Sequence, residues 1–195
     1  MKMAWTHTSD TDAGALECVP LTPERFADME DLFRERQVTR NCFCMHWRRP
    51  DGGFDDRRDN RDRFADIATE GPPPGLIGYI ENRPAGWVQV GPRSDFPTLM
   101  RSRLFKPVDE VQAWSINCFV VRPNDRRKGV GRGLLAAAIA YAKSQRAKMI
   151  EAYPVDGSRQ SVVDYFTGTM GMFSEYGFVE MIRRNDTRPI VRLTL

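Results

Sequence analysis

The residues best suited to chemistry lie in one short segment that mixes glycine with arginine and lysine. Its sequence is Arg126-Arg127-Lys128-Gly129-Val130-Gly131-Arg132-Gly133. The segment follows a predicted strand and opens a predicted helix, so the first free N–H groups of that helix point into it. A helix start binds anions through these donors and its dipole, and glycine lets a ligand approach the backbone closely. The four cations therefore predict a site for a phosphorylated ligand, above all a pyrophosphate.

Two common phosphate-binding patterns do not fit this segment. A Walker loop needs a lysine and a hydroxyl residue after its last glycine, whereas Lys128 precedes the glycines and Leu134 takes the hydroxyl position. A dinucleotide-binding loop has the spacing G-x-G-x-x-G near the start of a domain, but these glycines are separated by single residues late in the chain. The pattern that fits is [Q/R]-x-x-G-x-[G/A], met by Arg126, Gly129 and Gly131.

With this pattern the segment resembles the coenzyme A pyrophosphate loop of the GNAT superfamily of N-acetyltransferases. Two other segments are similar to that family: residues 119–123, a strand end of the form V-x-P, and residues 175–178, which contain the G-F pair that opens a late strand. The resemblance covers about residues 15–195. It implies an α/β fold with a mixed, mostly antiparallel sheet, a central splayed pair of parallel strands, and helices on both faces.

The resemblance also implies an activity, the transfer of an acetyl group from acetyl-CoA to a primary amine. The amine would attack the thioester directly in a ternary complex, in the gap between strands over residues 114–121 and 149–153. A backbone N–H near residues 119–121 would stabilise the charge that develops on the thioester oxygen. The family pattern places cofactor binding at Phe119, Val120, Val121, Arg126, Arg127, Lys128, Gly129, Val130, Gly131, Arg132, Gly133 and Phe173.

The acid and base are not given by the pattern. Many family members protonate the leaving thiolate with a tyrosine four residues before the glycine of G-F, and this chain has Phe173 there. An asparagine often found earlier on the same helix is replaced by Phe166. The candidates for catalysis are Glu110, Ser115 and Tyr176. Tyr165 or a water could also replace the missing tyrosine as the acid. Asn117, Asp109 and Glu151 are further candidates on the side of the base.

The acceptor pocket is expected from the N-terminal half of the chain, from residues 41–47, 87–90 and 93–106. Trp47, Trp87, Phe43 and Phe96 could form its aromatic wall or could fill the core. The run from Cys42 to Arg48 also occurs in GNAT-like proteins of unassigned substrate, so it does not identify the acceptor. Cys42, Cys44 and His46 lack the spacing of a structural zinc site, so no metal is expected and the four cysteines are expected to be free thiols.

The elements that would position these residues follow from hydrophobic periodicity and breakers. Residues 1–15 are predicted to form a flexible arm, and residues 16–195 a single domain. Helices are predicted from about residue 22, over residues 51–68, from about residue 131, and over residues 169–176. Strands are predicted at 76–81, 87–90, 114–121, 149–153, 178–183 and 190–195, with residues 92–107 irregular. In the strand at 114–121, alternation puts Trp114, Ile116, Cys118 and Val120 on one face.

Composition adds limits on partners and location. The chain has 195 residues, 41% of them hydrophobic, and a net charge of +3. No apolar run is long enough for a membrane span and the N-terminus lacks a signal-peptide core, so a cytoplasmic protein is expected. Acidic and basic residues cancel over residues 51–66, which disfavours nucleic acid as a partner. An exposed edge at residues 190–195 would allow a homodimer as well as a monomer. The alternative function is a non-catalytic acyl-CoA sensor or interaction module.

Overall fold

A computed structural model describes residues 5–50, 57–157 and 164–195. The strands are β1 (His7–Thr11), β2 (Gly14–Pro20), β3 (Gly75–Ile80), β4 (Arg83–Pro92), β5 (Trp114–Val121), β6 (Met149–Ala152), β7 (Val179–Arg183) and β8 (Pro189–Thr194). The helices are α1 (Phe26–Arg34), α2 (Gln37–Cys42), α3 (Arg57–Glu70), α4 (Pro97–Arg101), α5 (Val130–Ser144) and α6 (Met170–Ser174). The first part of the helix predicted over residues 51–68 lies outside the described residues.

The eight strands form one sheet in the order β1-β2-β3-β4-β5-β6-β8-β7. All neighbouring pairs are antiparallel except β5 and β6, which are parallel because α5 returns the chain between them. The mixed, mostly antiparallel sheet with a central parallel pair is therefore confirmed. The strand over residues 190–195 is not an edge, however, because β8 lies between β6 and β7. The edges of the sheet are β1 and β7.

The N-terminal segment pairs with the sheet, so the predicted arm over residues 1–15 is wrong from His7 onward. Strands β1 and β2 form a hairpin that turns around Gly14, and β2 pairs with β3. Hydrophobic alternation does not mark this short strand, because its half-buried positions His7, Ser9 and Thr11 are polar. The residues on either side of β1 contact α5 and the segment before it. Trp5 packs on Tyr141 of α5, and the Asp12 N–H donates to the Lys128 carbonyl.

Helices cover both faces of the sheet, as predicted. On one face α5 packs Leu134, Leu135 and Ala138 into a core with β2 to β6. On the other face α1 and α3 bury the apolar positions that helical spacing predicted, including Phe33 and Phe64. The segment over residues 92–107 is less irregular than predicted, since it contains the short helix α4.

The parallel pair separates after its first three residue pairs. Strand β5 pairs with β6 from Trp114 to Ile116, and β6 ends at Ala152, but β5 continues to Val121. Strand β5 keeps its partner β4 on the other edge over this length. The predicted splay is therefore confirmed, and the edge of β5 beyond Ile116 faces a gap.

A β-bulge in β5 changes which side chains share a face. The register between β4 and β5 shifts at Gln89/Val90, so that Gln89 pairs with Cys118 and Val90 with Ile116. Ile116 and Phe119 then pack in the α5 core, while Cys118 and Val120 pack on the opposite face with α1 and α3. The predicted common face for Ile116 and Cys118 is wrong, because alternation breaks where one strand has an extra residue.

Candidate functional site

A cavity of about 480 Å³ opens beside the splayed strands and joins both halves of the predicted site. One part is formed by β5 and the start of α5, and the other by α2 and the segment that follows it. Its described lining consists of Phe33, Arg36, Val38, Thr39, Cys42, Cys44, His46, Trp47, Cys118, Phe119, Val120, Val121, Arg126, Arg127, Gly129, Gly131, Arg132, Phe166, Gly168, Thr169 and Met172. The surface is mainly apolar, with arginines as its cations.

The three glycines of the glycine- and arginine-rich segment over residues 126–133 have different roles. Gly129 is the N-cap of α5 and has a φ of 83°, which favours glycine there. A Cβ at Gly131 would meet only the Met172 sulfur, at 3.7 Å, so this backbone is open to the cavity. A Cβ at Gly133 would lie 2.8 Å from a Leu16 methyl carbon. Gly133 therefore serves close packing of α5 on the sheet, and it lies outside the cavity lining, as does the buried Val130.

The cations of the segment are held in three ways. The Arg126 guanidinium donates to the Val121 carbonyl at 3.0 Å, which fixes it beside the end of β5. Arg132 forms a two-pronged ion pair with Glu175, at 2.5 and 2.7 Å, on the surface next to the cavity. Arg127 lines the cavity with an exposed side chain, whereas Lys128 is exposed and lies outside the lining. Arg36, from the turn before α2, is a further lining cation that sequence reasoning missed.

The free edge of β5 offers backbone donors to the cavity. The Arg122 N–H donates to the Ala85 carbonyl in the chain of β4. Alternation along the strand therefore turns the N–H groups of Val121 and Phe119 the other way, toward the gap left by β6. Phe119, Val120 and Val121 all line the cavity, where the sequence predicted them.

Phe173, the residue at the family's tyrosine position, is fully buried. Its ring packs edge-on against Phe119 and Phe178, with ring centroids 6.1 and 5.0 Å apart. It supports Phe119 from behind and lies outside the cavity lining. Phe173 therefore does not form part of the cavity wall and does not contact a ligand there directly.

The three predicted catalytic residues are not brought together by the fold. Glu110 is exposed in the loop before β5, and Ser115 is buried with its hydroxyl donating to the Tyr153 hydroxyl at 3.2 Å. The Tyr176 hydroxyl donates to the Arg132 carbonyl at 3.1 Å. All three lie outside the lining of the cavity. The side chain of Tyr165 is outside the described residues.

The other carboxylates considered from sequence belong to a buried ion network. Glu151 is completely buried and forms ion pairs with Arg93 and Arg192. It also accepts a hydrogen bond from the Tyr153 hydroxyl at 2.8 Å. Asp109 forms a bidentate pair with Arg192 at 2.6 and 2.9 Å, and this pair holds the pKa of Asp109 below its usual range. The Glu151–Arg192 pair joins β6 to β8, and the Asp109–Arg192 pair joins the loop before β5 to β8.

His46 is the titratable base that the structure adds to the site. It follows α2, lines the cavity, and packs its ring edge-on against Trp47, with centroids 4.5 Å apart. Burial lowers the pKa of His46 below its ordinary value, so the imidazole is neutral at pH 7. The sequence suggested His46 as a possible metal ligand and as part of the acceptor segment over residues 41–47, but not as a base. In the described part of the chain, no group of three acidic, cysteine or histidine side chains is arranged to hold a metal.

Of the four aromatic residues proposed for the acceptor wall, Trp47 is the one that lines the cavity. Its indole N–H donates to the Asn117 carbonyl at 3.0 Å, at the bulge of β5. Phe43, Trp87 and Phe96 are buried in the core, which was the alternative left open.

Comparison with known proteins gives the family. The Acetyltransferase (GNAT) family matches residues 41–172, more than half of the chain. The chain belongs to the GNAT acetyltransferase family. The matched GNAT region contains the cavity lining from Cys42 to Met172, whereas the lining residues of α1 and of the first part of α2 precede it. No curated protein sequence matches the chain.

Solved structures share this GNAT fold at low sequence identity. The GNAT domain of S. lividans PAT is 14% identical with a TM-score of 0.61, over 98% of this chain and 97% of that one. A GNAT family acetyltransferase from Listeria monocytogenes is 12% identical with a TM-score of 0.62, over 97% of this chain and 100% of that one. Mycobacterium smegmatis RimJ, solved in complex with CoA-disulfide, is 12% identical with a TM-score of 0.61, over 97% and 86% of the two chains.

Among the described residues, no helix is long and apolar enough to cross a bilayer.

Proposed function

We propose that this GNAT protein transfers an acetyl group from acetyl-CoA to a primary amine by direct attack in a ternary complex. The observation that carries the proposal is the continuity of one cavity from the start of α5, past the free edge of β5, to the segment after α2. Both substrates can meet there without a covalent intermediate on the protein, and shared binding accounts for much of the rate.

Binding of the cofactor follows from the start of α5. Its free N–H groups, the open backbone at Gly131 and the guanidinium groups of Arg126, Arg127 and Arg36 favour the pyrophosphate and the phosphate of acetyl-CoA. The pantetheine chain then follows the edge of β5. An N–H of Phe119 or Val121 donates to the thioester oxygen and stabilises the negative charge that forms as the amine attacks.

Proton removal from the attacking amine is assigned to His46. The side chain lies on the acceptor side of the cavity, and its lowered pKa keeps it neutral and able to accept a proton. The predicted residues Glu110, Ser115 and Tyr176 keep at most an indirect role in this proposal, because each lies outside the lining. The leaving thiolate takes its proton from water.

The acceptor is an amine that carries an apolar or aromatic group. Phe33, Val38, Trp47 and Phe166 line the acceptor side, and the described lining contains no carboxylate that would favour a polycation. Among acceptors such as small amines, amino acids, aminoglycosides and peptide N-termini, apolar and arylalkyl amines fit best.

The test is release of coenzyme A thiol from acetyl-CoA with a panel of amines. We expect turnover that is fastest with arylalkyl amines and slowest with aminoglycosides and polyamines. Thermal stabilisation by coenzyme A without thiol release for any amine would instead support the non-catalytic sensor. Turnover confined to polycationic amines would contradict the acceptor class while leaving the transferase activity in place.

A further inference from the structure

Three of the four cysteines meet at the acceptor side of the cavity. Cys42 and Cys44 come from the end of α2 and the residues after it, and Cys118 comes from β5. All four cysteines are free thiols, and Cys18 is buried in the α5 core away from the cavity lining. The thiols at the cavity have no place in the acetyl transfer described above.

Two of these sulfurs are in direct contact. The Cys44 thiol donates to the Cys118 sulfur, and the two Sγ atoms are 3.2 Å apart. The sulfurs of a disulfide are about 2.05 Å apart, so a movement of roughly 1 Å would allow the bond to form. Residues 74 positions apart in the sequence are thus aligned across the cavity wall.

The backbone at Cys44 is held in an unusual conformation that aims this thiol. Phe43 and Cys44 are consecutive non-glycine residues with positive φ, 44° and 53°. Such residues persist where the surroundings fix them. Here the Trp87 indole N–H donates to the Cys44 sulfur at 3.2 Å, and the Gln89 amide donates to the Cys44 carbonyl at 3.1 Å. The bulge in β5 supplies the other half of the contact by turning Cys118 to this side.

We propose that Cys44 and Cys118 are a redox-active dithiol in the cavity wall, converted to an intramolecular disulfide by small organic disulfides that enter the cavity. The inference rests on the geometry of the thiols and does not need acetyl transfer to occur.

The hydrogen bond assigns the order of the two steps. A thiolate on Cys118 keeps the bond from Cys44, and Cys118 is the more exposed of the two cysteines, so Cys118 attacks first. Its sulfur bonds to one sulfur of the organic disulfide, the S–S bond breaks, and one organic thiolate leaves with the electron pair. Cys44 then loses its proton to solvent and attacks the Cys118 sulfur, which releases the second organic thiolate. The protein loses two electrons and two protons, and the organic disulfide becomes two thiols.

Burial also separates the roles of the neighbouring thiols. Burial raises the pKa of Cys44 strongly, and contact with Cys118 raises it further, which suits a residue that reacts second. The pKa of Cys42 is raised to about 12, chiefly by burial, so this third thiol is a poor competitor for the mixed disulfide.

The experiment treats the folded, reduced protein with 2,2′-dithiodipyridine, an apolar aromatic disulfide that fits the cavity. We expect release of two pyridinethiones per protein, an intact mass lower by two hydrogens, and a proteolytic fragment that links Cys44 to Cys118. Saturating acetyl-CoA, which has no free thiol to reduce the reagent, should slow thione release at least tenfold, because it occupies the route to Cys118.

Variants separate the proposed pair from general thiol reactivity. Cys18→Ser should form the same link, whereas Cys118→Ser should release at most one thione and form no internal disulfide. Each variant is first compared with the parent by thermal unfolding, and Cys118→Ala is used if the serine variant unfolds early. A linked fragment containing Cys42, stable adducts on two cysteines without a link, or thione release only after unfolding would overturn the proposal. Unchanged rates with saturating acetyl-CoA would overturn entry through the cavity.

Discussion

Substitution of Gly131 by Asp should weaken the binding of coenzyme A without destabilising the fold. Gly131 is the second residue of α5, and a Cβ there meets only Met172 at an ordinary contact distance of 3.7 Å. The new side chain therefore fits without displacing backbone. A carboxylate in the first turn of a helix stabilises it by about 0.3–1 kcal/mol, so the unliganded protein should unfold at the same temperature or slightly higher.

The effect on ligand binding has the opposite sign. A carboxylate on residue 131 lies on the order of 4 Å from a phosphate bound at the start of α5, where two unit charges repel by about 4 kcal/mol at an effective dielectric constant near 20. Solvent at the cavity mouth reduces this to about 2 kcal/mol at the low end. The Kd for coenzyme A should therefore rise by about 30-fold to 1,000-fold.

The assay is calorimetric titration with coenzyme A, and the chain provides a matched control. Gly171 is the second residue of α6, is exposed, and has open space around its Cβ position. Gly171→Asp adds the same charge at the same helix position, on an exposed residue that is not part of the cavity lining, and its Kd should stay within about threefold of the parent. If Gly131→Asp also binds coenzyme A within threefold of the parent while folded, the phosphate site is not at this helix start.

The remaining predictions concern the residues assigned to catalysis and to structure. His46→Gln should lower kcat by about 10²–10⁴-fold and remove the acid limb of the pH profile. In the parent this limb lies at a pH below the ordinary histidine range, because burial lowers the pKa of His46. An unchanged profile would exclude His46 as the base. Glu151→Gln should destabilise the protein by about 3–5 kcal/mol in urea unfolding, since Arg93 and Arg192 lose their shared partner; a stable but inactive variant would instead indicate catalysis by Glu151. Tyr176→Phe should cost about 0.5–1.5 kcal/mol of stability and leave kcat within threefold, and a hundredfold loss of kcat would restore Tyr176 as the acid.

The sequence could indicate which residues of the segment 126–133 line the cavity, because their properties are local. Gly129, Gly131 and the arginines act through backbone conformation and charge within one turn of a helix start, and the structure places Arg126, Arg127, Gly129, Gly131 and Arg132 around the cavity. The parallel pair could be predicted for a related reason, because a strand, a helix and a second strand in succession require a parallel return. The splay of the pair was implied by the resemblance to the GNAT family and not by element order.

The acid–base residues could not be read in this way, because partners distant in sequence decide them. Glu151 has the residue type of a general base, but β8 brings Arg192 beside it and the turn after β4 brings Arg93. Ser115 similarly faces Tyr153 across the parallel pair. His46 has no sequence pattern that marks it as a base. Its role depends on the cavity between α2 and β5, which exists only once the two segments are packed.

The bulge in β5 connects the two proposals, because one extra residue determines what faces the acceptor. Without the bulge, alternation would keep Cys118 on the α5 side with Ile116. With it, Cys118 turns toward Cys44, while Phe119 turns back to pack on Phe173. The same shift leaves the Asn117 carbonyl to accept the Trp47 indole N–H, which ties the acceptor wall to the strand that would hold the thioester. A disulfide between Cys44 and Cys118 would act at this same junction, so oxidation should alter acceptor binding before it alters binding of the phosphates at α5.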